Sequence, residues 1–297
     1  MATTPEPTLR PRRSVLYMPA SNPRALEKAT TLPCDSIIFD LEDAVAPENK
    51  PAAREAACAA TQSGKYGRRE LIIRVNAINT PWHHDDIAAA AAAAPDAIAI
   101  PKINTAEEIH AICAALEAAH AQPTTAIWAM CETPLGVLNA PSIATASPRL
   151  HALVMGSNDL IKELHAEDIP GRAPLMAAMS WAVLAARAAK IAILDAVHNN
   201  IHDHDGFVTE ATMARQMGFD GKTLIHPNHI AAANEIFSPT PAHIEQAHAI
   251  IDAWDAADGA GIATHNGRMI EQLHVDAARR TLTLAEAITA LENDTTP

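Results

Sequence analysis

The chain has 297 residues, with 22 Lys and Arg against 35 Asp and Glu for a net charge of −13, and aromatic residues make up only 3%. An acid-rich, aromatic-poor chain argues against a phosphate-backbone or base-stacking role, so no nucleic-acid partner is expected. The length is enough to bury roughly three quarters of the unfolded surface, and an Ala-dominated hydrophobic content of 48% suits helices packed closely on a sheet.

The N-terminal MATTPEPTLRPRR carries Pro and Arg but no apolar run, and reads as a frayed tail rather than a signal peptide. Val15 to Met18 is the first short β-prone run, and Pro23 to Thr31 has helical character. The second run, Ser36 to Phe39, stops in Asp40, Glu42 and Asp43, with no Lys or Arg nearer than Lys50. Three carboxylates within four positions require an offsetting charge from elsewhere in the chain. A helix over Ala52 to Thr61 leads to the third strand, Leu71 to Val75, which carries Arg74 and ends at Asn76. His83 and His84 open a helix and read as solvated, and Ala88 to Ala94 is too short and too flanked by charge to span a membrane, so no membrane partner is expected.

The fourth strand, Ala97 to Ile100, precedes Lys102, and a helix follows over Ala106 to Ala119. The fifth, Ala126 to Met130, precedes Glu132; the sixth, Ala152 to Met155, precedes Asn158 and Asp159. After a helix over Pro174 to Ala189 come the seventh strand, Ala192 to Val197, and the eighth, Lys222 to Ile225, with His226 beyond it. The tract His202 to Asp205 reads as a solvated loop rather than a metal site, and Gly218 to Thr223 has the wrong Gly spacing for a P-loop and precedes a strand. Cys34, Cys58, Cys113 and Cys131 show no C-x-x-C spacing and read as buried, reduced thiols of a cytoplasmic protein.

Eight alternating β/α units with continuously apolar strands predict a parallel sheet closed into a (β/α)8 TIM barrel, whose usual length is about 250 residues. An open doubly wound sheet is disfavoured because no G-x-G-x-x-G follows the first strand. The barrel is expected over 13–237. A C-terminal helical segment over 238–297, with helices at Pro241 to Ala257 and Val275 to Leu291 joined by a loop from Gly259 to Gly267, is expected to act as a lid or an oligomerisation element.

In such a barrel, chemistry gathers at the C-terminal ends of the strands. The charged strand ends obey that rule one after another, and Arg74, Lys102 or a metal would offset the acids. Glu132 and Asp159 follow adjacent strands and can share one ion. Two carboxylates with waters and substrate oxygens form a hard-oxygen site, which suits Mg²⁺ better than zinc.

The motifs LYMPASNPRALEKA, SIIFDLEDAVAPENK, RVNAINTP, AIPKI, CETPLGVLNA, GSNDLIKEL, GFDGKTLIHP and GRMIEQLHV together resemble the CitE-like branch of the HpcH/HpaI aldolase superfamily. That resemblance implies a homotrimeric or homohexameric TIM barrel that binds Mg²⁺, with Mn²⁺ as a substitute, and the CoA thioester of a short β-hydroxy acid. It places Glu132 and Asp159 as metal ligands, with Glu132 also at the substrate, and Arg74 at the substrate carboxylate or thioester oxygen. It further implies that Asp43 and Glu42 orient waters around the ion, Tyr17 meets substrate, and Lys28 meets the CoA phosphates. Ala20 and Asn22 depart from the Gly and Arg common in the first loop, and Arg24 lies close enough to substitute for that Arg. Glu271 stands where malyl-CoA lyases of the family carry an Asp that moves a proton at the acetyl carbon, and the Leu-His-Val after it is thioesterase-like. The expected activity is hydrolysis of (3S)-malyl-CoA to malate and CoA. Malyl-CoA or citramalyl-CoA lyase and a citrate lyase β-like subunit remain as alternatives, and the acyl group is open.

Overall fold

The computed structural model describes residues 9–257 and 261–294; the Gly259 end of the expected C-terminal loop and most of the N-terminal tail lie outside the described residues. Eight strands, β1 (Ser14–Pro19), β2 (Ser36–Asp40), β3 (Glu70–Arg74), β4 (Ala97–Ile100), β5 (Ala126–Cys131), β6 (Leu150–Met155), β7 (Ala192–Asp195) and β8 (Gly221–Leu224), pair in parallel with their chain neighbours. β8 returns to β1 through Val15 opposite Thr223 and closes the barrel, as the sequence predicts.

The connecting helices are α1 (Pro23–Ala29), α2 (Lys50–Gln62), α3 (His83–Ala93), α4 (Ala106–Ala118), α5 (Pro134–Leu138), α6 (Ala140–Ala144), α7 (Ser157–Glu163), α8 (Met176–Ala189), α9 (His204–Met217) and α10 (Ile230–Phe237). Their starts follow local capping chemistry. Asn22 accepts from the Ala25 N–H with Pro23 as first helical residue, and Thr105 and Glu108 form a reciprocal capping box on α4. The tract His202 to Asp205 is not a loop throughout: Asp203 caps α9, its carboxylate accepting from the Gly206 N–H at 2.9 Å, and His204 is already helical. Pro174 belongs to a 3₁₀ turn, Ala173–Leu175, that precedes α8.

Side-chain direction alternates along a strand, so one parity fills the barrel and the other meets the helices. The interior row contains Val15, Ile38, Ile72, Ala99, Trp128, Met130, Val154 and Leu194. Following the same parity toward the C-terminal ends leads from Val15 to Tyr17, from Ile38 to Asp40, from Ile72 to Arg74 and from Met130 to Glu132. The apolar filling therefore stops one step below the rim, and the polar residues of four strands point inward above it.

Beneath the β7 and β8 ends lies a second buried polar cluster. Asp195 accepts from Arg172 Nη1 and from Lys222 Nζ, both at 2.7 Å. Burial opposes its charge, but the two cations hold its carboxyl below the usual carboxylate range. His229 stacks on Phe207 with ring centroids 4.1 Å apart and stands edge-on to His198 at 5.9 Å.

Arg12–Ile236 form one compact unit, and the chain from Phe237 onward belongs to a second. Within that second unit α11 (Pro241–Ala256) packs on α12 (Gln272–Asp294), and β9 (Ala263–His265) pairs antiparallel with β10 (Arg268–Ile270). Asn266 (φ 50°) and Gly267 (φ 73°) form the two-residue turn between the strands, the left-handed pair that an Asn-Gly hairpin demands. Ala263, Ile270 and Val275 are buried there against Ile250, Ile251 and Trp254. All four cysteines are free thiols, and no helix among the described residues is long and apolar enough to cross a membrane.

Candidate active site

The C-terminal mouth of the barrel opens into a cavity of about 380 Å³ whose lining includes Tyr17, Asp40, Asp43, Arg74, Glu132 and Asp159. Met130, Met155, Val197 and Ile225 supply its apolar side.

Asp40 and Arg74 are direct cross-strand partners in the β2–β3 register. The guanidinium bridges the carboxylate with both prongs, Nε to Oδ1 and Nη2 to Oδ2, each at 2.7 Å. Asp40 also accepts from the backbone N–H groups of Glu42 (2.9 Å) and Ala44 (3.1 Å). Burial disfavours the Asp40 charge, but Arg74 and these backbone donors outweigh it and hold the carboxyl below its ordinary range. Burial likewise disfavours the guanidinium, yet Asp40 and Glu42 keep Arg74 protonated far above its usual range. The guanidinium lies 4.8 Å over the Tyr17 ring, and Nη1 donates to Met130 Sδ at 3.9 Å.

Glu42 sits between two cations. Lys102 Nζ donates to its Oε1 at 2.8 Å. Arg74 Nη1 lies 3.0 Å from Oε2, an ion pair not aimed as a hydrogen bond, so that oxygen is buried without a hydrogen-bond partner. Burial pushes the Glu42 carboxyl up despite both cations. The acid cluster left open by the sequence is thus offset by Arg74 and Lys102. Lys50 secures the loop backbone instead, donating to Leu41 O, Glu42 O and Asn76 Oδ1.

Glu132 is buried at the end of β5, and its Oε1 accepts from the Lys102 N–H at 2.7 Å. Burial, then the neighbouring charge of Glu42 and, to a smaller degree, of Asp159, pushes its carboxyl up to about 7. Gly156, at the start of the β6 loop, makes room for it: a Cβ there would lie 2.3 Å from Glu132 Oε2 and 2.5 Å from its Cβ. Asp159, half-buried on α7, has Oδ2 3.2 Å from Lys102 Nζ.

These residues suit a hard divalent cation. The donors are carboxylate oxygens, one of them crowded by like charge, and Gly156 leaves a cradle around Glu132 that a side chain would fill. Among the described residues no group of three or more His, Cys, Asp and Glu is arranged to hold a metal. Two carboxylates at the rim suit an ion that completes its shell with waters or substrate oxygens, as Mg²⁺ does.

Of the residues chosen from sequence, Tyr17, Asp43, Arg74, Glu132 and Asp159 line one cavity. Arg24 and Lys28 are exposed on α1, the helix that leaves the β1 rim. Glu271 belongs to the second unit, where its N–H donates to His274 Nδ1 at 3.0 Å, and among the described residues it forms no ion pair with Arg268 or Arg279. His226 accepts from the Asn228 N–H and caps the 3₁₀ turn after β8. Sequence reasoning missed the Met130 sulfur, which the alternation along β5 would have placed inward. It also missed the anchoring role of Lys50, whose only signal was being the nearest cation to the acids.

The HpcH/HpaI aldolase/citrate lyase model matches residues 13–227, and a model of C–C bond lyases of the TIM-barrel fold matches 173–289. A (3S)-malyl-CoA thioesterase from Cereibacter sphaeroides is 48% identical, covering 94% of this chain and 96% of its own length. The citrate lyase β subunit of Leuconostoc mesenteroides is 36% identical over 93% and 94%, respectively. Among solved structures, CitE from Mycobacterium tuberculosis in complex with magnesium, acetoacetate and coenzyme A superimposes with a TM-score of 0.74 at 28% identity, covering 92% of this chain and 97% of that one. With barrel, rim and relatives in agreement, the chain belongs to the HpcH/HpaI aldolase/citrate lyase family.

Proposed function

We propose that the protein is a magnesium-dependent hydrolase of a short β-hydroxyacyl-CoA thioester, with (3S)-malyl-CoA as substrate and malate and CoA as products. The observation that carries this reading is the pairing, in one cavity, of a fixed guanidinium with two carboxylates suited to a hard cation, in a chain 48% identical to a malyl-CoA thioesterase. Glu132 and Asp159 would hold the ion, which supplies Lewis-acid charge for the malyl hydroxyl and carboxylate. Mn²⁺ would serve in its place.

Arg74, locked by Asp40, presents positive charge that cannot be titrated away, suited to negative charge developing on the thioester oxygen. Tyr17 supports the guanidinium through its ring face, and Asp43 on the cavity wall with Glu42 behind it would orient waters around the ion. A water oxygen attacks the thioester carbon, the C–S bond breaks, and the water proton passes to the departing sulfur. Glu271 is the acid assigned to direct that proton. Arg24 and Lys28 are placed to meet the CoA phosphates. The active form would be a cytoplasmic homotrimer or homohexamer with shared sites.

The second reading is retro-Claisen cleavage to acetyl-CoA and a 2-oxo acid, favoured by the C–C bond lyase match over 173–289 and the β-subunit relatives. Product identity from (3S)-malyl-CoA separates them: free thiol with malate supports hydrolysis, and glyoxylate supports cleavage. Turnover undiminished in EDTA would rule out the metal. Glu271→Asp should raise the ratio of glyoxylate to malate, and an unchanged ratio would remove Glu271 from the choice of reaction.

A further inference from the structure

One residue, Lys102, touches three of the rim acids and does so through different groups. Its backbone N–H donates to Glu132 Oε1 at 2.7 Å, and its ammonium donates to Glu42 Oε1 at 2.8 Å and lies 3.2 Å from Asp159 Oδ2. Its backbone is left-handed, with φ 55°, a conformation that disfavours a non-glycine residue. That conformation lets the N–H address β5 while the side chain reaches back toward the β2 loop and across to α7. The Asn104 side-chain amide donates to the Lys102 carbonyl at 2.9 Å, and Asn104 Oδ1 accepts from Thr133, so the turn is itself anchored to the loop after β5. Burial opposes the ammonium charge, but Glu42, Glu132 and Asp159 hold it protonated.

We propose that Lys102 is a positioning residue that stands in for the divalent cation: its backbone fixes Glu132 in place, and its ammonium balances Glu42 and Asp159 until the ion enters and takes Asp159 from it. This rests on the assignment of Glu132 and Asp159 as the ion's ligands. The carboxylates are thereby held close together without the metal, and the ion binds against a competing charge. Lys102 lowers affinity for the ion while preserving the geometry that receives it. A merely structural lysine would have the opposite signature, because removing it would loosen the carboxylates and weaken binding.

The test is Mn²⁺ binding to the full-length protein without substrate, followed by electron paramagnetic resonance, together with thermal unfolding in EDTA and in saturating Mn²⁺. Lys102→Met and Lys102→Gln keep the backbone donor but remove the charge. Both should bind Mn²⁺ roughly tenfold more tightly, as expected for deleting a unit charge next to a ligand in a partly screened site. Both should melt lower than wild type in EDTA and gain more from Mn²⁺, while Lys102→Arg should stay near wild type in affinity. Equal or weaker binding in Lys102→Met and Lys102→Gln overturns the proposal. Asp159→Asn separates this from failure of the ligand assignment. If wild type binds no Mn²⁺, or Asp159→Asn binds as well as wild type, the assignment falls and the proposal with it. If Asp159→Asn loses the ion and charge removal at Lys102 still fails to tighten it, the proposal alone falls.

Discussion

Replacing Arg74 by Met should cost more stability than any other single change at the mouth of the barrel. The guanidinium is buried, and its loss leaves Asp40, 1% exposed, with two backbone donors in place of four, while Glu42 keeps only Lys102. Removing one partner of a buried ion pair costs about 3–5 kcal/mol. The surviving backbone donors put the expected loss near the lower end, about 3 kcal/mol. Arg74→Lys keeps the charge but replaces two parallel hydrogen bonds with one, for a loss of roughly 1.5–3 kcal/mol. Urea unfolding of the metal-free protein at neutral pH, with the m-value checked for constancy, gives these differences directly. The acid limb supplies an independent sign. Because Asp40 is held below its ordinary range, its contribution is fully present above its unfolded pKa, near 4, and is lost as pH falls through the lower folded value. That loss should be largely absent from Arg74→Met. Turnover is read separately, and Arg74→Lys should lose a further 2–4 kcal/mol or so in kcat/KM if the Nη1 edge, the one not committed to Asp40, faces the thioester oxygen. An Arg74→Met protein within about 1 kcal/mol of wild type, with an unaltered acid limb, would refute the reasoning.

Gly156→Ala places a methyl 2.3 Å from Glu132 Oε2, so it should destabilise by roughly 1–3 kcal/mol and weaken Mn²⁺ binding; unchanged affinity would mean that Glu132 has room to move. His229 is buried, and burial with the neighbouring His198, His226, His204 and Lys222 depresses it to about 4. The unfolded chain then takes up its proton first, so stability should fall as pH drops from about 6.5 toward 4, by about 3 kcal/mol more in wild type than in His229→Phe. Superimposable pH profiles of the two proteins would exclude that source. Mixing Glu132→Gln with Glu271→Ala protein under subunit exchange should restore part of the activity if the two residues meet across copies, and proven exchange with no recovery would place them in one chain.

The eight strands were legible because each is a short apolar run cut off by a polar residue, and a strand buried on both faces has no reason to be anything else. β4, Ala97–Ile100, coincides with its predicted bounds. Where capping decides the boundary, apolar pattern alone does not place it. The tract around Asp203 reads as a loop because it shows no i, i+4 pair on a defined helical face, yet the Asp203 side chain accepts from the Gly206 N–H and starts α9. The β9–β10 hairpin lies in a stretch that reads as a loop despite its Asn266-Gly267 turn signal, because strands of three residues carry little pattern. At the site, residue types and strand ends sufficed to collect Arg74, Glu132 and Asp159. They could not indicate that Arg74 is committed to Asp40 on two prongs, since that depends on the β2–β3 register, which places the two residues directly opposite one another.

That register also bears on why an acidic rim folds at all. Asp40 is satisfied by Arg74 and backbone donors, and Glu42 is shared between Arg74 and Lys102. Lys50 directs its donors to the Leu41 and Glu42 carbonyls and Asn76, and with the largely exposed Asp43 it adds no net charge to the group. Four carboxylates, Asp40, Glu42, Glu132 and Asp159, therefore face two cations, Arg74 and Lys102, leaving a deficit of two charges. The deficit is not spread evenly. Asp40 is held ionised, whereas Glu132 is the acid pushed up to about 7. A divalent ion held by Glu132 and Asp159 would add two positive charges beside the acid that burial and neighbouring charge push up. Glu132 follows β5 and Asp159 lies on α7 after the adjacent strand β6, so the acid raised by burial and the second proposed ligand reach the rim from neighbouring strands.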